Sequence, residues 1–384
     1  MAEVTNHRKL RMGMVGGGKD AFIGEVHRIA ASMDGLIELV CGAFSSDPDK
    51  SRDSGRSLLL SDDRIYGSFR EMIQSESQLP PDERMDFVSI VTPNNVHFEP
   101  AMMALDHGFH VVLEKPMAFN LDEARQLQRK VTETGRKLLL THTYVGYPMV
   151  KEARNLVREG KLGKIRKIYV EYPQGWLSRA AEGNKQAAWR TDPNQSGQSG
   201  CMGDIGTHAL HLAEYISGLR ATRLCASLQT FVEGRQLEDD GSVLLQFDNG
   251  ASGVLMASQI AAGEENALKI RVYGEQGGIE WNQQEPNTLL VKWLDQPAQV
   301  YRASGSYLSA EATAFCRTPG GHPEGYLEAF ANLYRSFVWS LQPWRKGGVQ
   351  YDFPGVDDGV RGMAFLDCLL KSNAGTEKWT EFVF

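Results

Sequence analysis

The chain has 384 residues, 42% apolar and 23% charged, a composition that excludes a disordered or fibrous protein and leaves room for two domains of ordinary size. Its formal net charge of −7 disfavours a surface built to hold nucleic-acid phosphates or an anionic membrane. The five cysteines (Cys41, Cys201, Cys225, Cys316 and Cys368) are odd in number, widely spaced and never in a CxxC pair, which argues against a disulfide framework or a zinc site and for a reducing cytoplasm.

No apolar run reaches the ~18 residues of a membrane span, and Met1 to Leu10 is polar, without the apolar core of a signal peptide. From there short apolar runs alternate with helical patterns. Leu10 to Val15 reads as a strand ending in glycines, and Gly24 to Met33 as a helix with Val26, Ile29 and Ala30 on its buried face. Strands are predicted at Ile37 to Phe44, Asp86 to Thr92, Phe109 to Leu113 and Lys137 to Thr141, with helices at His97 to His107 and Leu121 to Thr134. This alternation implies parallel βαβ units and a doubly wound sheet.

The rhythm changes near residue 142. A helix at Met149 to Glu159 and a strand at Ile165 to Tyr172 precede a long polar loop, Gln174 to Gly203, and a helix from Asp204 to Ile216. Strand candidates then follow one another at 222–232, 242–247, 251–259, 268–273, 278–281 and 288–293, with Asp248-Asn249-Gly250 as a hairpin signal. Ala303 to Pro323 reads as a second loop, and helices are predicted at Glu324 to Leu341 and Gly355 to Leu370. The fold class is therefore α/β: a parallel domain over 1–141, then an α+β domain on an open, mainly antiparallel sheet over 142–384.

Gly16-Gly17-Gly18 lies between the first strand and the first helix. Glycine there permits a tight turn and lets the backbone approach a pyrophosphate at a helix N-terminus. A GxGxxA match falls on Gly16, Gly18 and Ala21, and the helix starting at Gly24 leaves Phe22 and Ile23 in a long loop. After the second strand, Ser45 occupies the place of the acid that would hold the adenosine ribose, with Ser46 and Asp47 behind it. An N-cap for a following helix explains that acid equally well. The cofactor reading is NAD, with NADP open.

Thr92-Pro93-Asn94, with His97 behind it, and Glu114-Lys115-Pro116 fall at the C-terminal ends of predicted parallel strands, where α/β sheets bind ligands. Asp204 and His208, four residues apart, share one helix face, and a carboxylate beside an imidazole sets its tautomer and raises its basicity. His211 extends that face, but no cysteine or acid completes a metal-ligand set.

Together, Gly16 to Gly18, Thr92-Pro93-Asn94, Glu114-Lys115-Pro116, Trp189-Arg190 and Asp204-x-Gly206-x-His208 resemble, over essentially the whole chain, the glucose-fructose oxidoreductase/inositol dehydrogenase/rhizopine-catabolism (Gfo/Idh/MocA) family. The resemblance implies an N-terminal Rossmann domain and a C-terminal sheet that forms a dimer or tetramer interface. It implies Lys115 as the catalytic-site lysine, Asp204 and His208 as the Asp/His pair, and Trp189-Arg190 at the nicotinamide end. His211 departs from it, standing where inositol dehydrogenases often carry an aspartate against substrate hydroxyls. The implied activity is hydride transfer between a nicotinamide and a hydroxyl carbon of a sugar or cyclic polyol. Tyr144, Tyr147, Gln174, Trp176, Arg190 and His322 are the further substrate-binding candidates. Two other readings compete: a non-catalytic dinucleotide-binding sensor, and an enzyme that oxidises its substrate only transiently on a retained cofactor.

Overall fold

A computed structural model describes residues 8–19, 21–179, 183, 185–342 and 352–382. Most of the polar N-terminal stretch and a few positions of the loop after Gln174 lie outside these residues. Among the described residues the strands form two sheets.

The first sheet holds β1 (Leu10–Gly16), β2 (Ile37–Ala43), β3 (Phe87–Val91), β4 (His110–Leu113) and β5 (Leu138–Leu140), in the order β2-β1-β3-β4-β5. Every pairing is parallel. β3 is buried at all five positions, as expected for a strand covered by helices on both faces. The covering helices are α1 (Phe22–Ser32), α2 (Pro48–Ser57), α3 (Phe69–Gln78), α4 (Phe98–Asp106) and α5 (Leu121–Thr134). The chain order reverses between β1 and β3, which opens a crevice at their carboxyl ends.

Two details of α1 differ from expectation. The helix begins at Phe22, because Ala21 is already its extended N-cap residue. Ile29 is 40% exposed. The buried stripe runs through Gly24, Val26, His27, Ala30 and Ala31 instead, because His27 finds buried polar partners inside.

After α6 (Pro148–Arg158) comes β6 (Lys167–Pro173), the centre of the second sheet. The predicted long loop is partly helical, with α7 (Lys185–Arg190) and α8 (Pro193–Ser196). A turn of π-helix, Met202–Gly206, then leads into α9 (Thr207–Ser217). β7 (Ala221–Gln229), β8 (Asp240–Phe247), β9 (Ser252–Ser258), β10 (Lys269–Tyr273), β11 (Gly277–Asn282), β12 (Thr288–Trp293) and β13 (Gln299–Arg302) complete most of the sheet. β14 (Thr380–Glu381) adds a short edge beside β7. Neighbours are antiparallel except β6 and β9, which run parallel. β8 alternates buried and exposed residues along its length, the pattern of a sheet with one open face.

α10 (Ala310–Ala314) interrupts the second predicted loop, and α11 (Tyr326–Leu341) and α12 (Val356–Ala374) follow. α11 packs on α1, and α12 packs on α5, so the end of the chain returns to the first sheet. Arg317 and Arg335 both grip Asp34, just beyond α1.

Candidate active site

The carboxyl ends of β1 and β3 open into a cleft of about 1760 Å³ that runs to the second sheet. Single-ligand pockets measure about 300–1,000 Å³, so this one has room for a dinucleotide and a second molecule. Gly16 and Gly17 turn the chain with φ of +80° and +69°. A Cβ at Gly24 would lie 2.3 Å from the Gly17 Cα, so Gly24 is where helix and turn touch backbone to backbone. The third glycine role of the fingerprint thus falls on Gly24 rather than Ala21. Arg28 donates to the Gly17 carbonyl at 2.6 Å and holds the turn from below.

These features fit a dinucleotide. Ala21 supplies no side-chain cap, and the first-turn N–H donors at Phe22 and Ile23, both lining the cleft, are where a helix N-terminus suits an anion. The buried Thr92 hydroxyl, also on the cleft wall, has no hydrogen-bond partner among the described residues. Ser45 and Ser46 line the far end. Asp47 is committed elsewhere: it caps α2 by accepting from the N–H groups of Asp49 and Lys50.

Gly18, Pro93, Asn94, Glu114, Lys115, Trp189 and Arg190 also line the cleft. Asn94 donates to the Ser196 carbonyl at 3.0 Å, tying the strand end to α8. His97 does not reach the cleft. It is fully buried, and its ring nitrogens lie 2.8 Å from the Pro116 carbonyl and 2.9 Å from that of Thr92, joining the two strand-end turns. Pro116 is likewise off the cleft wall, behind a cis Lys115–Pro116 peptide.

Asp204 is the charge hub of the site. Lys115 Nζ donates to its Oδ1 at 2.6 Å and to its backbone oxygen at 2.9 Å. Its Oδ2 accepts from Gln259 at 2.8 Å and Arg190 at 3.2 Å. Burial pushes this carboxyl up, but Lys115 and Arg190 outweigh it and hold Asp204 far below the usual carboxylate range. The expected Asp204–His208 pair is not made. The π turn carrying Asp204 changes the angular step along the helix, and the carboxylate is turned to the lysine.

His208 lines the cleft, with Nδ1 held 3.2 Å from Nδ1 of His142. Burial first, then Lys115, keeps His208 well below the ordinary histidine range, so the ring is a neutral acceptor at neutral pH. Tyr144 packs against it with centroids 5.0 Å apart. The Tyr144 hydroxyl bonds that of Tyr172, which donates to Asn266 Oδ1 at 2.7 Å. Gln174 donates to the same oxygen at 2.6 Å and accepts from Trp176 at 2.9 Å. Burial raises both phenols, leaving them as O–H groups. Tyr147 sits outside the main cleft, on a small side pocket with Tyr326 and Gln283. His322 is exposed, hydrogen-bonded to Pro319, and not on the cleft. His211 is turned away too, against His142 and Asp358.

Gln259, Asn266, Tyr172 and His142 belong to the site without having been singled out in the sequence. They sit on or beside sheet strands, and no local motif marks them. Among the described residues no group of three His, Cys, Asp or Glu side chains could hold a metal. All five cysteines are free, and no helix among the described residues is long and apolar enough to cross a membrane.

The model of an oxidoreductase family with an NAD-binding Rossmann fold matches residues 10–142, and that of the GFO/IDH/MocA C-terminal domain matches 150–280. The chain belongs to the Gfo/Idh/MocA oxidoreductase family. Within this family, the uncharacterized oxidoreductase YfiI of Bacillus subtilis is 31% identical over 98% of this chain and 97% of its own. Levoglucosan dehydrogenase of Pseudarthrobacter phenanthrenivorans is 25% identical over 76% of this chain and 78% of its own. An inositol dehydrogenase homologue from Azotobacter vinelandii, solved with NAD+, superposes with a TM-score of 0.92 and 34% identity, covering 97% of each chain.

Proposed function

We propose that this protein is an NAD-dependent dehydrogenase that oxidises a ring hydroxyl of a neutral sugar or cyclic polyol. The observation that carries the reading is one cleft lined by the glycine turn, Lys115 and His208. The A. vinelandii relatives solved with NAD+ and with NADH support NAD, NADP remains the alternative cofactor because other relatives are NADP(+) enzymes, and the relatives acting on levoglucosan or resembling inositol dehydrogenase support the substrate class.

Gly16, Gly17, Gly18, Phe22, Ile23, Thr92 and the serines Ser45 and Ser46 would hold the dinucleotide. Bound nicotinamide supplies the hydride acceptor. His208 takes the hydroxyl proton on Nε2. Two N–H bonds of Lys115 are committed to Asp204, which leaves the third to donate to the same substrate oxygen and stabilise its developing charge. Asp204 aims the lysine. Tyr144, Gln174, Trp176 and Asn266 offer neutral donors, acceptors and an aromatic face to the remaining hydroxyls. The same reading places contacts between copies of the chain on the open face of the second sheet.

The test is an absorbance screen for reduced nicotinamide, with NAD and NADP in parallel, against inositols, hexoses and anhydrosugars. Turnover-dependent accumulation with at least one neutral ring polyol is expected. Flat traces across the panel would point instead to the sensor or cofactor-recycling readings.

A further inference from the structure

His142 is a buried imidazole that the chemistry above does not use. It lies just beyond β5, is 3% exposed and does not line the cleft. Its ring stands edge-on to His208, with centroids 5.1 Å apart, and lies flat against His211 at 4.3 Å. His211 Nε2 reaches Asp358 Oδ1 at 3.6 Å, and Asp358 is itself fixed at the start of α12 by the Gly355 N–H. The other charged groups facing the two imidazoles are Lys115 and Glu114 at the end of β4 and Asp204 on the π turn; the phenols of Tyr144 and Tyr172 flank His208. Among the described residues no carboxylate hydrogen-bonds either His142 or His208.

A neutral imidazole has one N–H. For His208 to accept a proton on Nε2, that N–H must sit on Nδ1, and the acceptor beside Nδ1 is His142 Nδ1, 3.2 Å away. We propose that His142 is a positioning residue of this enzyme: it accepts the Nδ1–H of His208 and so keeps the Nε2 lone pair turned to the substrate hydroxyl. It takes the place that a carboxylate holds behind the histidine of a serine-protease triad. The proton balance is simple. The substrate O–H proton moves to Nε2, and the Nδ1–H bond to His142 persists in the imidazolium. A neutral acceptor orients the base without the basicity that a carboxylate would add, so His208 remains unprotonated in its resting state beside Lys115. Stacking on His211, itself tied to Asp358, fixes the plane of the acceptor.

This proposal rests on His208 being the base, so its test includes a measurement that needs no substrate. Nitrogen NMR of histidine-labelled, NAD-loaded protein, with His208 assigned through His208→Gln, reads the tautomer directly. The expected result is His208 protonated on Nδ1 in the wild type. In turnover, His142→Ala is expected to lower kcat about 100-fold with little change in KM, and His142→Asn, whose amide oxygen can accept, to recover about 10-fold of that. His142→Asp sets a charge beside His208 and moves the acidic limb of the kcat profile up by about one pH unit. A wild-type His208 protonated on Nε2 overturns the proposal. So does a folded His142→Ala enzyme with unchanged kcat and acidic limb. Absence of turnover with every polyol would instead count against the dehydrogenase reading, with the tautomer still deciding the role of His142.

Discussion

Glu114, the neighbour of Lys115, is buried and keeps its charge. Its Oε1 accepts from His27 at 2.9 Å and Thr141 at 2.6 Å, and its Oε2 accepts from the Lys115 N–H at 3.2 Å. Burial pushes the carboxyl up, but His27, Lys115 and Thr141 outweigh it and bring Glu114 from 4.5 to about 2. A carboxylate depressed in the folded state stabilises it above the unfolded pKa, and that contribution is lost as pH falls through the folded one. The window here runs from 4.5 down to about 2, and the contribution is on the order of 3 kcal/mol. Thermal stability measured from about pH 4.5 down to about 2.5 should therefore fall more steeply for wild type than for Glu114→Gln; parallel curves would contradict this. Glu114 and Lys115 were legible because they form a compact motif at a strand end. His27, on which Glu114 depends, was not, since a single histidine in a helix carries no signal of its partner 87 residues away.

The glycine turn and α1 are specified by contact as much as by conformation. A Cβ at Gly24 would lie 2.3 Å from the Gly17 Cα and 2.6 Å from its carbonyl oxygen, both backbone atoms. Gly24→Ala should push α1 off the turn, cost about 1–3 kcal/mol of stability and weaken NADH binding, read by unfolding and by fluorescence titration. Unchanged values in both would show that helix and turn can separate freely. The parallel strands and α5 were readable because apolar runs alternate with strong helical periodicity. α2 was not: Pro48-Asp-Lys-Ser-Arg-Asp-Ser-Gly-Arg-Ser57 has no apolar stripe, and it packs through Ser51, Ser54 and Gly55. Gly55 lies so close to Ile65 that a Cβ there would clash. β13 escaped for a related reason, as an edge strand with little burial. The π turn at Met202–Gly206 was invisible to an argument that assumes uniform helical steps, and it is what redirects Asp204 to Lys115.

The two sheets meet across the cleft, and each supplies residues of the proposed chemistry. Lys115 follows β4 of the first sheet, whereas His208 and Asp204 come from the segment packed on the second. The return of α11 onto α1 and the grip of Arg317 and Arg335 on Asp34 hold the halves together. We propose residue 142 as the division between them, although the last helices pack across it. The convergence of residues 115 and 208 follows from family motifs and not from spacing, since nothing local relates residues so far apart in the chain. The most direct test of the account is kcat/KM for polyol oxidation by wild type, Lys115→Ala, His208→Gln and the double variant. Each single change should cost about 10²–10⁴-fold, and the double variant little more than the worse single one, because both groups serve one oxygen. A Lys115→Ala enzyme that keeps the wild-type kcat/KM would contradict it.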